Sequence, residues 1–186
     1  MQMVLVWIGI VLFSLLILVS CKEKDRFAAK IKTLDSLHVE LDKKTAVFLS
    51  LDSQRINFYL KRQQQNMKLL SDNLKDTLSV NYFNVLTQYK KCEAPLQFLN
   101  ENYKSILNES LLSKEQLKKL SVDLKNDAIE DELVYEYFII EKMEAEKMSE
   151  TLTANYNLAK QSTDTFQKYN EKIEQLIHAI QNKIPY

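Results

Sequence analysis

Hydrophobic and polar residues follow two different patterns along this chain. Residues 3–19 are almost continuously apolar and are interrupted only by Gly9 and Ser14. Beyond residue 24 the apolar positions recur, with few gaps, at steps of three, four or seven, which is the spacing of one face of an α-helix. The pattern therefore predicts an apolar N-terminal segment followed by an all-α body.

The first helical stripe predicts one long helix from about Lys24 to Lys75. Neither proline nor glycine interrupts it, and these are the residues that most often end or kink a helix. The stretch 54–66 is more polar than its surroundings, so we expect looser packing there. The apolar positions of the stripe are Phe27, Ile31, Leu34, Leu37, Leu41, Phe48, Leu51, Phe58, Met67, Leu70 and Leu74.

The rest of the chain contains three further helix signals. Pro95 lacks a backbone donor and predicts a kink or short restart between Cys92 and Pro95. Ser113–Gln116 has the form of a capping box, in which a serine and a glutamine satisfy amides of a first turn. Acidic residues at 127–130 favour the start of a last long helix, because carboxylates are stabilised at a helix N-terminus. That helix should end before Pro185.

These segments predict an elongated antiparallel three-helix bundle with a broken middle arm and coiled-coil-like long helices. A four-helix bundle, in which residues 113–125 turn back, is the alternative. The only glycine is Gly9, and tight hairpins and phosphate-binding loops depend on glycine for positive φ angles. The composition therefore argues against sheets, Rossmann units and P-loops.

The apolar N-terminal segment ends in Leu18-Val19-Ser20-Cys21. This sequence resembles the lipobox of bacterial lipoproteins. The resemblance implies that the thiol of Cys21 receives a diacylglyceryl group and that a signal peptidase cuts between Ser20 and Cys21. It also implies acylation of the new amine by a palmitate-like chain. Residues 1–20 would then be a removed signal peptide, and residues 21–186 a lipid-anchored helical domain.

One alternative for this segment stays open. Met1-Gln2-Met3 carries no basic side chain, whereas Lys22, Lys24 and Arg26 follow the apolar run. Positive residues tend to remain on the cytoplasmic side of a span, and a spanning helix needs about 20 apolar residues. The segment could therefore be an uncleaved single span in an inverted orientation.

The residues after Cys21 bear on location. Lys22-Glu23-Lys24-Asp25 partly resembles the start of surface-exported lipoproteins of Bacteroidota, although Lys24 interrupts the pattern. The resemblance implies a lipid anchor in the cell membrane or outer membrane, with the domain in the periplasm or on the cell surface.

Charge limits the choice of partners. The chain has 25 Lys and Arg and 25 Asp and Glu, all of them after residue 20. Nucleic-acid binding requires an excess of cations to displace counterions from phosphates. We therefore predict no nucleic-acid partner, and a membrane contact that relies on the lipid of Cys21 rather than on a polybasic patch.

No set of residues predicts an enzyme, a cofactor or a metal site. His38 and His178 lack a partner in a zinc-protease pattern, and Glu174, four residues before His178, is typical of a surface pair. A di-metal bundle needs Glu-x-x-His pairs, which the chain lacks. Its acid-rich stretch is interleaved with Lys142 and Lys147 and is predicted to be a solvated helix face. The acids are Glu130, Asp131, Glu132, Glu136, Glu141, Glu144, Glu146 and Glu150.

Two further residue types have a structural and a functional interpretation. With Cys21 acylated, Cys92 is left alone as a small buried hydrophobe or an incidental thiol. Tyrosines combine apolar surface with a polar hydroxyl and suit either core margins or interfaces. They are Tyr82, Tyr89, Tyr103, Tyr135, Tyr137, Tyr156 and Tyr169.

The sequence as a whole predicts a non-enzymatic, lipid-anchored helical module that binds a protein or envelope partner or associates with itself. A different class is the alternative. In that class, a single-span sensor binds a small ligand between the helices of its bundle.

Overall fold

The protein is all-α. The computed structural model describes residues 26–74 and 79–182, and the positions of Ser20, Cys21 and the rest of the predicted lipobox lie outside these ranges. The described residues form five helices and no strand. The helices are α1 (Ala28–Leu49), α2 (Ser53–Asn73), α3 (Val80–Lys90), α4 (Glu93–Lys125) and α5 (Asp131–Gln181).

The predicted single helix over residues 24–75 is wrong, because it breaks at Ser50–Asp52. The side chain of Asp52 accepts a hydrogen bond of 2.9 Å from the backbone amide of Arg55, and its backbone is extended. An N-cap of this kind satisfies an amide that has no partner within the helix. Asp52 therefore ends one helix and starts the next without proline or glycine.

Of the two helix interruptions predicted for the middle of the chain, the structure contains the first and lacks the second. Helix α3 ends at Lys90 and α4 begins at Glu93, so Pro95 lies in the first turn of α4, where a missing amide costs least. The predicted helix start at Ser113 is wrong, because α4 continues to Lys125. Ser113 is buried on the face that carries Ile106, Ser110 and Leu117, and this continuous stripe outweighs the capping-box pattern. Residues 113–125 therefore do not turn back to form a fourth arm.

The turn before the last helix lies where the acidic residues predicted it. Asp127 has a φ of 51°, a left-handed conformation that aspartate tolerates better than most side chains. Helix α5 then begins with Asp131 and Glu132 in its first turn.

The described residues divide into two compact units. Unit 1 contains residues 26–42 and 112–147. Within it α1 runs antiparallel to α4, since Asp35 accepts from Ser121 at 2.7 Å and Asp42 from Lys114 at 2.7 Å. Arg26, just before α1, forms an ion pair with Asp131 at the start of α5, at 2.6 Å. The buried apolar residues of unit 1 are Leu34, Leu41, Leu117, Leu120, Leu124, Val134 and Ala145.

Unit 2 contains residues 43–111 and 148–186, of which 75–78 and 183–186 are not described. Its first arm runs antiparallel to its second, as the hydrogen bonds from Thr45 to Ser110 and from Asn66 to Tyr89 show. The prediction of an all-α helical bundle is confirmed. The core of unit 2 includes Ile56, Leu60, Leu70, Val85, Leu96, Leu99, Ala159, Phe166, Ile173 and Leu176.

The core of α2 differs from the predicted stripe. Phe58 is 62% exposed, whereas Ile56 and Leu60 are buried. The predicted stripe passes from Phe48 to Phe58 by a step of three residues and a step of seven. At about 100° per residue, each step falls short of a whole number of turns, so on an unbroken helix Phe58 lies about 80° away from Phe48. On the same unbroken helix Asn66 would lie about five whole turns from Phe48 and so on the same side. In the structure, where the helix breaks between them, Asn66 is buried as Phe48 is.

Candidate functional site

Unit 2 buries polar side chains of α2 together with its apolar core. Gln63 is fully buried and Asn66 nearly so, beside the buried Tyr59. The expectation of looser packing in residues 54–66 is therefore wrong. Buried polar groups need hydrogen-bond partners, and these come from α3, α4 and α5 as well as from α2 itself.

Asn66, Tyr89 and Asn170 form the centre of this network. Asn66 Nδ2 donates to the hydroxyl of Tyr89 at 3.1 Å and to Oδ1 of Asn170 at 3.0 Å. The Tyr89 hydroxyl donates to Asn170 Oδ1 at 2.8 Å. Tyr89 is fully buried, and burial raises the pKa of its hydroxyl strongly. Three helices are thus joined by one set of neutral hydrogen bonds.

The network reaches solvent through Glu174 and Arg62. Asn170 Nδ2 donates to Glu174 Oε1 at 2.8 Å, and Arg62 Nε donates to the same oxygen at 2.9 Å. Burial alone would raise the pKa of Glu174, but the hydrogen bonds from Asn170 and Arg62 outweigh it and the pKa is lowered. Glu174 therefore contacts neighbouring side chains rather than forming the predicted surface pair with His178.

A second group of side chains surrounds Tyr59. Its hydroxyl accepts from Arg55 Nε and from Gln167 Nε2, both at 2.6 Å. Its ring stacks on Phe166 with centroids 4.4 Å apart, and the ring of Tyr89 lies 5.7 Å from Phe166 on the same cluster. The aromatic contact and the hydrogen bonds together connect α2 to α5.

Gln63 is less well satisfied. Its Nε2 donates to Glu93 Oε2 over a long 3.4 Å, and its Oε1 has no hydrogen-bond partner among the described residues. A buried amide oxygen without a partner costs about 1–3 kcal/mol. Gln63 is therefore the weakest member of the buried polar set.

Cys92 lies buried beside Tyr89 of this network. Burial raises the pKa of the Cys92 thiol to about 11, so at neutral pH the thiol is protonated, and it donates to the Tyr89 carbonyl at 2.9 Å. The prediction of Cys92 as a buried hydrophobe is confirmed. Within residues 26–74 and 79–182, no cluster of three His, Cys, Asp or Glu side chains has the geometry of a metal site.

The remaining predicted candidates are dispersed. His38 lies half-buried on α1 and His178 exposed near the end of α5. The acid-rich stretch is largely a solvated face, as predicted, with Lys142 and Glu146 paired at 3.1 Å. Its exception is Glu141, which is half-buried and whose pKa is raised by burial and by Glu144.

The tyrosines divide between the two interpretations. Tyr89 belongs to the core, and Tyr103 stacks on Phe48 with centroids 4.9 Å apart. Tyr135 and Tyr137 are exposed, whereas Tyr82, Tyr156 and Tyr169 are half-buried.

One apolar groove opens on the surface of unit 2. It has a volume of about 420 Å³ and lies between α2 and α3. Phe83, one of its lining residues, is 59% exposed. The groove is lined by Met67, Phe83, Leu86, Thr87, Lys90 and Lys91.

Sequence reasoning missed Asn66, Asn170 and the groove. The angle of Asn66 relative to Phe48 could have revealed that Asn66 faces the core. Nothing in the sequence pairs it with Asn170, which is 104 positions away.

Comparison with known proteins adds nothing to the class that the fold defines, an all-α helical bundle. No protein family, curated protein or solved structure matches this chain. Among residues 26–74 and 79–182, no helix has the length and apolarity that a membrane crossing requires.

Proposed function

We propose that this protein is a bacterial lipoprotein whose Cys21 carries the lipid that anchors a non-enzymatic helical domain to a membrane. The domain binds a protein or envelope partner. The observation that carries the proposal is the lipobox-like Leu18-Val19-Ser20-Cys21 at the end of the apolar run 3–19.

The physics of acyl chains supports this form of anchor. Each buried methylene contributes about 0.8 kcal/mol, and one chain alone holds a protein only marginally. A diacylglyceryl thioether with an acylated amine places up to three chains on Cys21. No further membrane contact from the helical domain is then required.

The surface of the domain supports a partner-binding role. Large apolar side chains are exposed on both units, including Phe83 in unit 2 and Tyr135 and Met143 in unit 1. Exposed aromatic residues and methionine are enriched at protein interfaces. The core polar groups, in contrast, bond mainly to one another.

Metabolic labelling with an alkyne-bearing palmitate tests the anchor. We expect the full chain to incorporate label and Cys21→Ala to incorporate none. Cys92→Ala is the matched control, because it removes the other cysteine and should leave labelling unchanged.

Two results would contradict the proposal. Label that persists in Cys21→Ala shows acylation elsewhere. A wild-type chain that never takes up label, but stays in the membrane fraction, favours the uncleaved single-span sensor instead.

A further inference from the structure

The groove of unit 2 is basic as well as apolar. Lys90 and Lys91 form one end of it, and no acidic residue occurs between Ser79 and Cys92. Helices α2 and α3 together contain five Lys and Arg and one acid, Asp72. An occupant should therefore bring apolar side chains and negative charge.

Charge is unevenly distributed along the chain although it sums to zero. Residues 26–42 and 112–147 of unit 1 carry nine Lys and Arg against thirteen Asp and Glu. Residues 43–111 and 148–186 of unit 2 carry fourteen against ten. The overall neutrality thus conceals one acidic and one basic unit.

Unit 1 exposes an apolar stripe with acids beside it. Leu133, Tyr137 and Ile140 are each more than a third exposed on the first turns of α5. Glu136 and Glu144 share this side, since all five positions fall within about 100° on a helix of 3.6 residues per turn. Glu144 is paired only loosely, at 3.9 Å, with the exposed Lys147.

The stripe has the spacing of a helix face that packs on a groove. Leu133, Tyr137 and Ile140 are four and three residues apart and lie along about 10.5 Å of α5. Glu136 lies between the first two of them, and Glu144 follows Ile140 by one further turn. Apolar anchors at steps of three, four and seven are how an amphipathic helix occupies a groove.

We propose that the groove binds the acidic, apolar stripe (Leu133, Glu136, Tyr137, Ile140 and Glu144) of a second copy of this chain. This inference rests on the proposed function, because it names the protein partner. The contact joins unlike surfaces, so it either closes into a ring or a dimer with two such contacts, or continues from copy to copy.

Charge exchange between two differently tagged full-length copies tests the contact. One copy carries Lys90→Glu and Lys91→Glu, and the other carries Glu136→Lys and Glu144→Lys. The copies are co-expressed, extracted in mild detergent and captured through one tag. We expect wild-type copies to capture each other.

Each charge-reversed copy should capture its own kind about tenfold less, because like charges then face each other. The two variants together should recover capture, since both of their contacts again join opposite charges. This recovery also shows that both variants fold. Lys118→Glu with Lys119→Glu is the matched control, because it reverses two exposed lysines of α4 outside the groove and should leave capture unchanged.

Three results would overturn the proposal. They are wild-type copies that do not capture each other, a charge-reversed copy that still captures itself, and a mixed pair that fails to recover. Capture of another protein without a second copy counts against it equally. Palmitate labelling of Cys21 is read independently, so failure of self-association is distinguishable from failure of the lipoprotein proposal.

Discussion

Asn170, a half-buried residue of α5, takes part in three hydrogen bonds of the network. Its Oδ1 accepts from Asn66 and Tyr89, and its Nδ2 donates to Glu174. In a low-dielectric interior such a network stabilises the fold only when every member has a partner. Removing Asn170 therefore leaves several groups unsatisfied at once.

We predict that Asn170→Leu lowers the free energy of unfolding by about 2–3 kcal/mol, the cost of stranded buried polar groups. Urea denaturation measures this change. Asn157→Leu, at an exposed position of the same helix, should change stability by no more than about 0.5 kcal/mol. An equal effect of the two substitutions would contradict the role of the network.

Gln63→Met, unlike Asn170→Leu, should not destabilise the protein strongly. It removes a buried oxygen that has no partner, and it releases Glu93 from a long hydrogen bond of 3.4 Å. Methionine fills a similar volume without polar atoms. We expect stability to stay within about 1 kcal/mol of wild type or to rise, by the same denaturation measurement. A loss comparable to that of Asn170→Leu would refute this account.

Glu174 should make the stability of the protein depend on pH in the acidic range. Its pKa in the folded protein is lowered from 4.5, so the stability it contributes is complete above the unfolded pKa. That contribution is lost as pH falls through the lower folded value. Glu174→Gln should therefore flatten the decline in unfolding midpoint below about pH 4.5. Glu171→Gln, an exposed acid on the same helix, is the control and should not flatten it.

Side-chain identity predicted some of these roles and not others. Cys92 and Leu34 are buried as their types suggest. Gln63 and Asn66 are also buried, because their angle on the helix outweighs their polarity once partners exist. Those partners lie far along the chain, so the sequence alone could not show that they meet.

At the scale of elements, Asp52 replaces the glycine or proline that a helix boundary usually uses. We predict that Asp52→Ala destabilises the protein by about 1 kcal/mol, because an N-cap hydrogen bond is lost. Thermal or urea unfolding measures it, and Asp52→Ser should restore most of the loss.

Asp72→Ala is the matched control for the cap. Asp72 is exposed near the C-terminal end of α2, where negative charge opposes the helix dipole. Its removal should be neutral or slightly stabilising. Destabilisation by both substitutions to the same extent would argue against a specific cap at Asp52.

Some helix boundaries were predicted correctly and others were not, for physical reasons. Acids before α5 and Pro95 near the start of α4 were informative, because a charge at a dipole and a missing amide act locally. The cap pattern at Ser113 was misleading, since Ile106, Ser110 and Leu117 continue one buried stripe through it. Asp52 was overlooked because apolar spacing appeared to pass through it.

At the scale of the whole chain, charge segregation makes the proposed self-association sensitive to salt. We predict that capture of one tagged copy by another falls as ionic strength rises from about 0.15 M to about 1 M, where the Debye length shortens from about 8 Å to about 3 Å. The same capture assay measures it. Capture that strengthens with salt would instead indicate a purely apolar contact.

Overall composition could not predict this segregation. Equal numbers of acidic and basic residues excluded a strongly cationic protein, yet acidic residues are in excess in unit 1 and basic residues in unit 2. The net charge of the whole chain therefore gives no indication of the opposite excess charges of its two units.

The hydrogen bonds among Asn66, Tyr89 and Asn170 also limit how this protein can evolve. A mutation at any one of the three positions strands a donor or an acceptor on the other two, whereas apolar core positions tolerate exchange by similar volumes. Descendants of this chain should therefore change positions 66, 89 and 170 together or keep all three. The surface positions around them remain free to diverge one at a time.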